Sequence, residues 1–192
     1  MDKTEYVFQD MSDSIKILRQ ATPIVKQLLN FDEGEVIDVE NQDNDACQHL
    51  DMSCGIDYLL HLKRQGITQG AAWRAQVEHP TLGPFNSFTI RRERESGSMT
   101  EFEKRKISVK NNGIYPYYTI QAFYDQKFKN LLSLGIAKTT DILECIDKGL
   151  WDEDETGKNK VGQAKFYIVW WNVMMKNGYN IKVWKRQINS LY

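Results

Sequence analysis

The chain has 192 residues, of which 41% are hydrophobic and 27% are charged, and its formal net charge is −1. This length suits one domain with a sizeable core, and the composition is that of an ordinary folded protein. No apolar run approaches the length of a membrane span, and the polar start MDKTEYVFQD is unlike a signal peptide, so we expect no membrane partner. The three cysteines, Cys47, Cys54 and Cys145, are irregularly spaced, which favours a reduced, cytoplasmic protein.

Charge is unevenly distributed along the chain. Residues 31–60 contain nine acidic residues and no lysine or arginine, whereas residues 91–110 contain seven basic and four acidic residues. After Glu155 there are seven basic residues and no carboxylate side chain. An acidic patch within a basic frame is the arrangement expected of a cation site that faces a polyanion. A solvated acidic loop would explain the same acidic run.

The first predicted elements are a helix and a short strand. Apolar residues at helical spacing predict a helix over residues 12–30, in which Thr22 and Pro23 indicate a kink or a fresh helix start. Val36, Ile37 and Val39 predict a strand that runs into Glu40. The polar, turn-rich stretch NQDNDACQHLDMSC that follows is expected to be a loop.

Three further strands and a capped helix are predicted next. The strands cover residues 56–62, 67–77 and 85–92, with Gly66 in the turn between the first two. Thr100 and Glu103 form a T-x-x-E capping box that predicts a helix start, and Gly113 is its predicted stop.

The last third of the chain continues this mixture of helix and strand. β-branched and aromatic residues predict a fifth strand over residues 117–124, and Thr140 is the predicted cap of a short helix, DILECIDKG. An acidic loop, DEDETGKNK, precedes two late strands, KFYIVWW and NIKVW, on either side of Asn177-Gly178. The whole pattern predicts a single α+β domain over residues 1–192, with a mostly antiparallel sheet and helices at one face or end.

Arg74 and Gln76 share one face of the third predicted strand, because side chains alternate across a strand. The other face, where Trp73 stands between small residues, is expected to pack in the core. An unpaired buried charge is costly, so Arg74 must meet water, a carboxylate or a ligand. Asp57, at the start of the neighbouring strand, is the predicted partner. The two residues form either a structural ion pair or part of a catalytic site.

The order of these elements resembles the core of the PD-(D/E)XK nuclease superfamily, which has the restriction-endonuclease-like fold. The similarity covers residues 12–124 and comprises a helix, a strand ending in Glu40, a strand opening with Gly55-Ile56-Asp57, a turn and a strand ending near Arg74. In that superfamily, an Asp at the head of one strand and an acidic-x-Lys triplet on the next bind Mg²⁺ and activate water for phosphodiester hydrolysis. The following helix and strand complete a mixed sheet. The resemblance implies an α+β fold with a central mixed, mostly antiparallel sheet flanked by helices.

The triplet departs from the motif of the superfamily. At that position the chain reads Ala72-Trp73-Arg74, so the acidic member is missing and arginine replaces lysine. Arginine transfers protons poorly but can stabilise a phosphoryl oxyanion. The resemblance implies that Asp57 and Glu40 hold Mg²⁺, that Gln76 assists as a neutral oxygen donor and that Arg74 stabilises charge on the phosphate.

The function expected from this resemblance is Mg²⁺-dependent hydrolysis of DNA. The alternative is a catalytically inactive module of the same fold that binds nucleic acid or a protein partner, and the altered triplet favours it. A homodimer is left open. The residues predicted to contact DNA phosphates are basic and lie at the end of the fourth strand, just after it or on the capped helix: Arg91, Arg92, Arg94, Lys104 and Arg105. A solvated, salt-bridged surface would explain the same residues.

Two further patterns carry a second interpretation. Cys47, His49 and Cys54 could ligate zinc, but their spacing matches no standard finger. The basic C-terminal part interleaves lysines with Trp170, Trp171 and Tyr179, which suits nucleic-acid contact. Buried strand aromatics explain this pattern equally well.

Overall fold

A computed structural model describes residues 20–31, 34–39, 42, 44–94, 97–125, 127, 129–153 and 165–187. A helix, α1, covers residues 20–29. The other helices are α2 (Asp45–Cys54), α3 (Glu101–Lys110), α4 (Thr139–Asp147) and α5 (Trp171–Lys176). The strands are β1 (Glu35–Asp38), β2 (Tyr58–Leu62), β3 (Ile67–Val77), β4 (Ser87–Glu93), β5 (Tyr118–Tyr124), β6 (Leu131–Lys138), β7 (Asp152–Glu153), β8 (Lys165–Trp170) and β9 (Ile181–Lys185).

A six-stranded mixed sheet forms the centre of the fold, in the order β1-β2-β3-β5-β6-β9. Every neighbouring pair in it is antiparallel except β3 and β5, which are parallel. Parallel neighbours need a crossover connection, and β4 and α3 lie within the one that joins β3 to β5. The predicted fold class, α+β with a mixed, mostly antiparallel central sheet flanked by helices, is confirmed.

The two faces of this sheet are covered differently. On one face α1 packs through Ala21 and Val25 on apolar residues of β2, β3, β5 and β6. On the other face, a second sheet of order β4-β8-β7 packs with α4 and α5 around Phe88, Phe123 and Trp171. The polar residues of β3 lie on this second face, so they meet protein rather than bulk water alone.

The stretch predicted to be a loop before residue 55 is the helix α2, so that prediction is wrong. The Asn44 side chain caps the helix by accepting the Cys47 N–H at 2.9 Å. Gly55 ends it in the left-handed region, with φ of 67°. Cys54 and Cys47 then pack with Val39 and Ile56 in a small apolar cluster. Turn-forming residues at a helix start were mistaken for a loop.

Other boundaries also differ from the prediction. β6 was not predicted, because Leu131–Lys138 is buried on both faces and shows no alternation of apolar and polar residues. α4 starts at Thr139 with no side-chain cap, so Thr140 is not its N-cap. α1 already includes Gln20, so Thr22 does not start a new helix. The two late strands exist, but α5 separates them and they belong to different sheets.

Three further predictions, a strand, a turn and a capping box, agree with the structure. The strand over residues 67–77 has the predicted bounds, and Gly66 lies in the preceding turn with φ of 62°. The Thr100–Glu103 capping box forms in both directions. Within the described ranges no helix is both long and apolar enough to cross a membrane.

Candidate functional site

A polar cavity of about 330 Å³ lies where α2 ends, β2 begins and α3 starts. Its walls carry three carboxylates and three cationic side chains, together with a few small or apolar groups. The lining residues are Asp51, Met52, Cys54, Gly55, Asp57, Arg94, Glu101, Lys104 and Arg105. Acidic and basic side chains therefore line the same cavity at the end of the central sheet.

Asp57 is fixed at the head of β2 by backbone contacts on both sides. Its N–H donates to the Ala71 carbonyl at 3.0 Å, and its own carbonyl accepts from Val39 N–H at 3.0 Å. The carboxylate oxygen Oδ2 accepts the backbone N–H of Trp73. The pairing of β2 with β3 ends at Tyr58, opposite Ala71. The Asp57 side chain therefore accepts a β3 N–H that lies beyond the last paired residues. The register also places Asp57 on the same face of the sheet as Arg74.

Arg74 binds Glu101 rather than Asp57. Its Nη2 donates to both carboxylate oxygens of Glu101, at 2.9 and 2.8 Å. Its Nη1 donates to Thr89 Oγ1 at 3.4 Å, and its Cζ lies 5.1 Å from the centre of the Phe166 ring. The ion pair expected of Arg74 thus exists with a different carboxylate, and it connects β3 to α3.

Glu101 is the first residue of α3 and lies at the centre of a positive environment. Burial raises the pKa of its carboxyl group, but the guanidinium groups of Arg74 and Arg105 and the Arg91 N–H lower it more, to about 2. The Arg91 N–H donates to Oε2 at 3.1 Å. Glu101 is therefore a fully ionised carboxylate at neutral pH.

Arg105 is the buried member of the set, with 5% of its surface exposed. Burial lowers the pKa of its guanidinium group, while Glu101 and Asp57 oppose that shift. Its Nη2 lies 3.9 Å from Glu101 Oε1, and its Nε has no hydrogen-bond partner among the described residues. Glu101, Lys104 and Arg105 share one helical face, because residues three and four apart on a helix are neighbours.

The other two cations of the cavity come from different positions. Lys104 Nζ donates to the Met52 carbonyl at 2.6 Å, so it bridges α3 to α2. Arg94 follows β4, and its Nε is buried without a hydrogen-bond partner among the described residues. Asp51 faces the same space from α2, and burial raises the pKa of its carboxyl group while Lys104 lowers it.

The structure does not bring all of the predicted site residues to this cavity. Gln76 does not line the cavity. It lies four residues further along β3 than the position beside Asp57, which is a distance of roughly 13 Å. Glu40, the other predicted metal ligand, lies outside the described residues. Of the five predicted DNA-contacting residues, Arg94, Lys104 and Arg105 line the cavity.

Arg91 and Arg92 support the second sheet instead. Arg91 stacks on Phe166 with its Cζ 5.7 Å from the ring centre, and burial lowers the pKa of its guanidinium group. Arg92 pairs with Glu153 at 2.8 Å, with its Cζ 5.5 Å from the Trp151 ring centre and 5.6 Å from that of Tyr167. Both side chains therefore have local protein partners.

Two acids of the cavity, Asp51 and Glu101, were not predicted as site residues. Asp51 was missed because α2 was mistaken for a loop. Glu101 could have been found: it directly follows the predicted cap Thr100 and stands three and four residues before Lys104 and Arg105. That spacing places an acid and two bases on one face of the helix.

The carboxylate ligands of the cavity suit a hard cation such as Mg²⁺ only in part. In the part of the chain that the structure describes, no three His, Cys, Asp or Glu side chains converge to hold a metal ion. This finding also covers Cys47, His49 and Cys54, so the zinc interpretation has no support from the geometry. Asp51 and Asp57 offer the oxygen ligands that Mg²⁺ prefers, and Mg²⁺ needs only one or two carboxylates when water and phosphate complete its shell.

Comparison with known proteins found no family model, no curated protein and no solved structure that matches this chain. The cavity and its surroundings are therefore the basis for any functional inference.

Proposed function

We propose that this protein acts on DNA, with the cavity as the place where a backbone phosphate is engaged. Its proposed activity is Mg²⁺-dependent hydrolysis of phosphodiester bonds, with Asp57 as the essential carboxylate. The observation that carries the proposal is that Asp57 shares one cavity with three predicted phosphate-contacting residues, Arg94, Lys104 and Arg105. A carboxylate beside several cations suits a site that handles a metal ion and a phosphate together.

The arrangement of the sheet also supports the proposal. The resemblance to the restriction-endonuclease-like fold implies that a helix and a strand complete a mixed sheet after the third strand. Here β4 and then α3 follow β3, and α3 leads to β5, which joins the sheet parallel to β3. The same crossover helix carries Glu101, Lys104 and Arg105 to the end of the sheet where Asp57 starts β2.

Each side chain has a distinct part in this proposal. Mg²⁺, when bound, supplies Lewis-acid stabilisation of the phosphate and a more acidic water. Asp57 would hold it with Asp51 as its neighbour in the cavity, and Glu40 remains a predicted second ligand. Lys104 and Arg105 would neutralise the phosphate oxygens, and Arg74 acts indirectly by fixing Glu101 and hence the start of α3.

The alternative function is a catalytically inactive module that binds nucleic acid through the same cavity. The Arg74–Glu101 pair favours it, because the bidentate contact occupies a carboxylate that would otherwise be available to a metal ion. The two functions differ in whether bound DNA is cut.

The test is cleavage of plasmid and single-stranded DNA with Mg²⁺ or Mn²⁺, comparing wild type with Asp57→Asn. Asparagine keeps an oxygen that can accept the Trp73 N–H, so the fold is retained while a carboxylate is lost. We expect a rate loss on the order of a thousandfold. Asp45→Asn is the control, because Asp45 is an exposed acid in the first turn of α2 that does not line the cavity.

Three other outcomes are informative. Wild-type protein that binds DNA but never cuts it would establish the inactive module. Equal cleavage by wild type and Asp57→Asn would exclude the cavity as the active centre. Protein that neither binds nor cuts DNA would contradict both functions.

A further inference from the structure

We propose that Arg94, Lys104 and Arg105 form a subsite for one phosphate group on the α3 wall of the cavity, with Arg105 as its buried anchor. This inference rests on the proposed function and deepens it, because it names the three side chains that bind the phosphate. It assigns the binding of phosphate to the cations alone, without metal or DNA.

The first support is the incomplete pairing of Arg105. A guanidinium group that is only 5% exposed needs an anion or several acceptors, because burial of an unpaired charge is costly. Its nearest ion pair, to Glu101, spans 3.9 Å, and Arg74 already binds both oxygens of that carboxylate. The Arg105 Nε has no acceptor in the described part of the chain. Arg105 thus lines a polar cavity with its charge only partly compensated by the nearby carboxylate.

The second support is that an independent element supplies another such donor. Arg94 follows β4, reaches the same cavity, and has a buried Nε without an acceptor among the residues described. Lys104 adds an ammonium group one residue before Arg105. Two forked guanidinium groups and one ammonium group are a common donor set for phosphate.

Size and charge fit this ligand. The cavity volume of about 330 Å³ corresponds to roughly ten water molecules at about 30 Å³ each, which leaves room for a phosphate group and solvent. The lining holds equal numbers of carboxylates and cations, and Arg74 adds one more positive charge through Glu101. The cationic side chains in and around the cavity therefore outnumber its carboxylates, which favours an anionic ligand.

The test is the melting temperature in metal-free buffer as inorganic phosphate is titrated against chloride at constant ionic strength. We expect phosphate to raise the melting temperature of the wild type, because a ligand that binds the folded state stabilises it. Arg94→Gln and Lys104→Gln should each weaken the apparent phosphate affinity about tenfold, the effect of losing one charge-assisted hydrogen bond. These variants avoid the buried Arg105, whose replacement could prevent folding.

Lys110→Gln is the matched control, because Lys110 is exposed on the same helix and does not line the cavity. Equal phosphate protection in all variants, or no protection of the wild type beyond that of chloride, would overturn the subsite. A second titration with a short oligothymidylate distinguishes a phosphodiester from free phosphate as the preferred ligand.

The two proposals fail in different ways. If phosphate protects the wild type but no DNA is bound or cut, the subsite stands and the proposed function fails. If DNA is bound and cut equally well by Arg94→Gln, Lys104→Gln and wild type, the proposed function stands and the subsite fails.

Discussion

Glu101 shows how a single side chain connects distant parts of this chain. Its carboxylate binds Arg74 of β3 and the N–H of Arg91 on β4, while Arg105 lies one helical turn further on. The Glu101 side chain is 26% exposed and that of Arg74 is 21% exposed, so the pair is partly shielded from water. Removal of one partner from a pair of this kind is more destabilising than removal of one partner from an exposed surface pair.

The low pKa of Glu101 predicts a specific pH dependence of stability. The carboxyl group has a pKa of about 2 in the folded protein against an ordinary 4.5, so its contribution is complete above about pH 5 and is lost as the pH falls toward 2. The difference corresponds to about 3 kcal/mol in total, of which about 2 kcal/mol is lost by pH 3. Urea denaturation at pH 6 and pH 3 should show that the stability gap between wild type and Glu101→Gln narrows by that amount.

Glu153→Gln is the control for this experiment. Glu153 is an exposed carboxylate on β7 that also pairs with an arginine, Arg92. Exposed pairs contribute little, so its stability gap should be small at both pH values. A gap for Glu101→Gln that is the same at pH 6 and pH 3 would contradict the assignment of Glu101 as the buried, ionised partner.

The carboxylate that pairs with Arg74 could not be identified from the sequence. The strand pattern indicated that Arg74 needs water, a carboxylate or a ligand, because an unpaired buried charge is costly, and the structure shows a carboxylate. It could not identify Glu101, which lies 27 residues further along the chain and meets Arg74 only through the crossover. Asp57 was the predicted partner because it lies at the start of the neighbouring predicted strand, yet its carboxylate binds the Trp73 N–H.

At the scale of elements, α3 is the best-predicted helix, and it carries three of the nine residues that line the cavity. Thr100 Oγ1 accepts the Glu103 N–H at 3.3 Å, and Glu103 Oε2 accepts the Thr100 N–H at 2.7 Å. Both contacts are local, which is why the sequence alone predicted them. The start of α3 fixes the position of Glu101, and Lys104 and Arg105 follow on the same face.

Removal of the cap should therefore affect stability and ligand binding together. Thr100→Ala should lower the free energy of unfolding by about 1 kcal/mol, because the Glu103 N–H loses its acceptor, Thr100 Oγ1. It should also weaken phosphate protection, because α3 holds Lys104 and Arg105. Thr100→Ser keeps the hydroxyl group and should behave as wild type in urea denaturation and in the phosphate titration. If Thr100→Ala and Thr100→Ser changed the free energy of unfolding and the phosphate affinity equally, the Thr100 hydroxyl cap would not be the cause of either change.

Elements without a local signal were the ones that sequence reasoning missed. β6 is buried on both faces, so it lacks the alternation that reveals a half-exposed strand. α2 begins with polar residues that suit a helix cap as well as a turn, and only its packing on Val39 and Ile56 separates the two. In both cases tertiary contacts decide the structure.

At the scale of the whole molecule, the sequence predicted one sheet, whereas the residues that the structure describes form two. The strand patterns of β4 and β8 were recognised, but their pairing with each other joins residues about 80 positions apart, such as Phe88 and Val169. Such long-range pairing leaves no local pattern. The cavity depends on this arrangement, because Arg94 follows β4 while Asp57 and Glu101 come from the ends of β2 and α3.

The central claim is that this cavity engages the backbone of DNA, and the salt dependence of DNA affinity tests it most directly. Each neutralised phosphate releases a counterion, so the affinity of wild-type protein should fall linearly on a log–log plot against salt concentration. The Arg94→Gln, Lys104→Gln double variant should bind more weakly on any sequence and should show a slope smaller by about one to two. Lys110→Gln should change neither property. A wild type without salt-dependent DNA binding, or a double variant with the wild-type slope and affinity, would contradict the account.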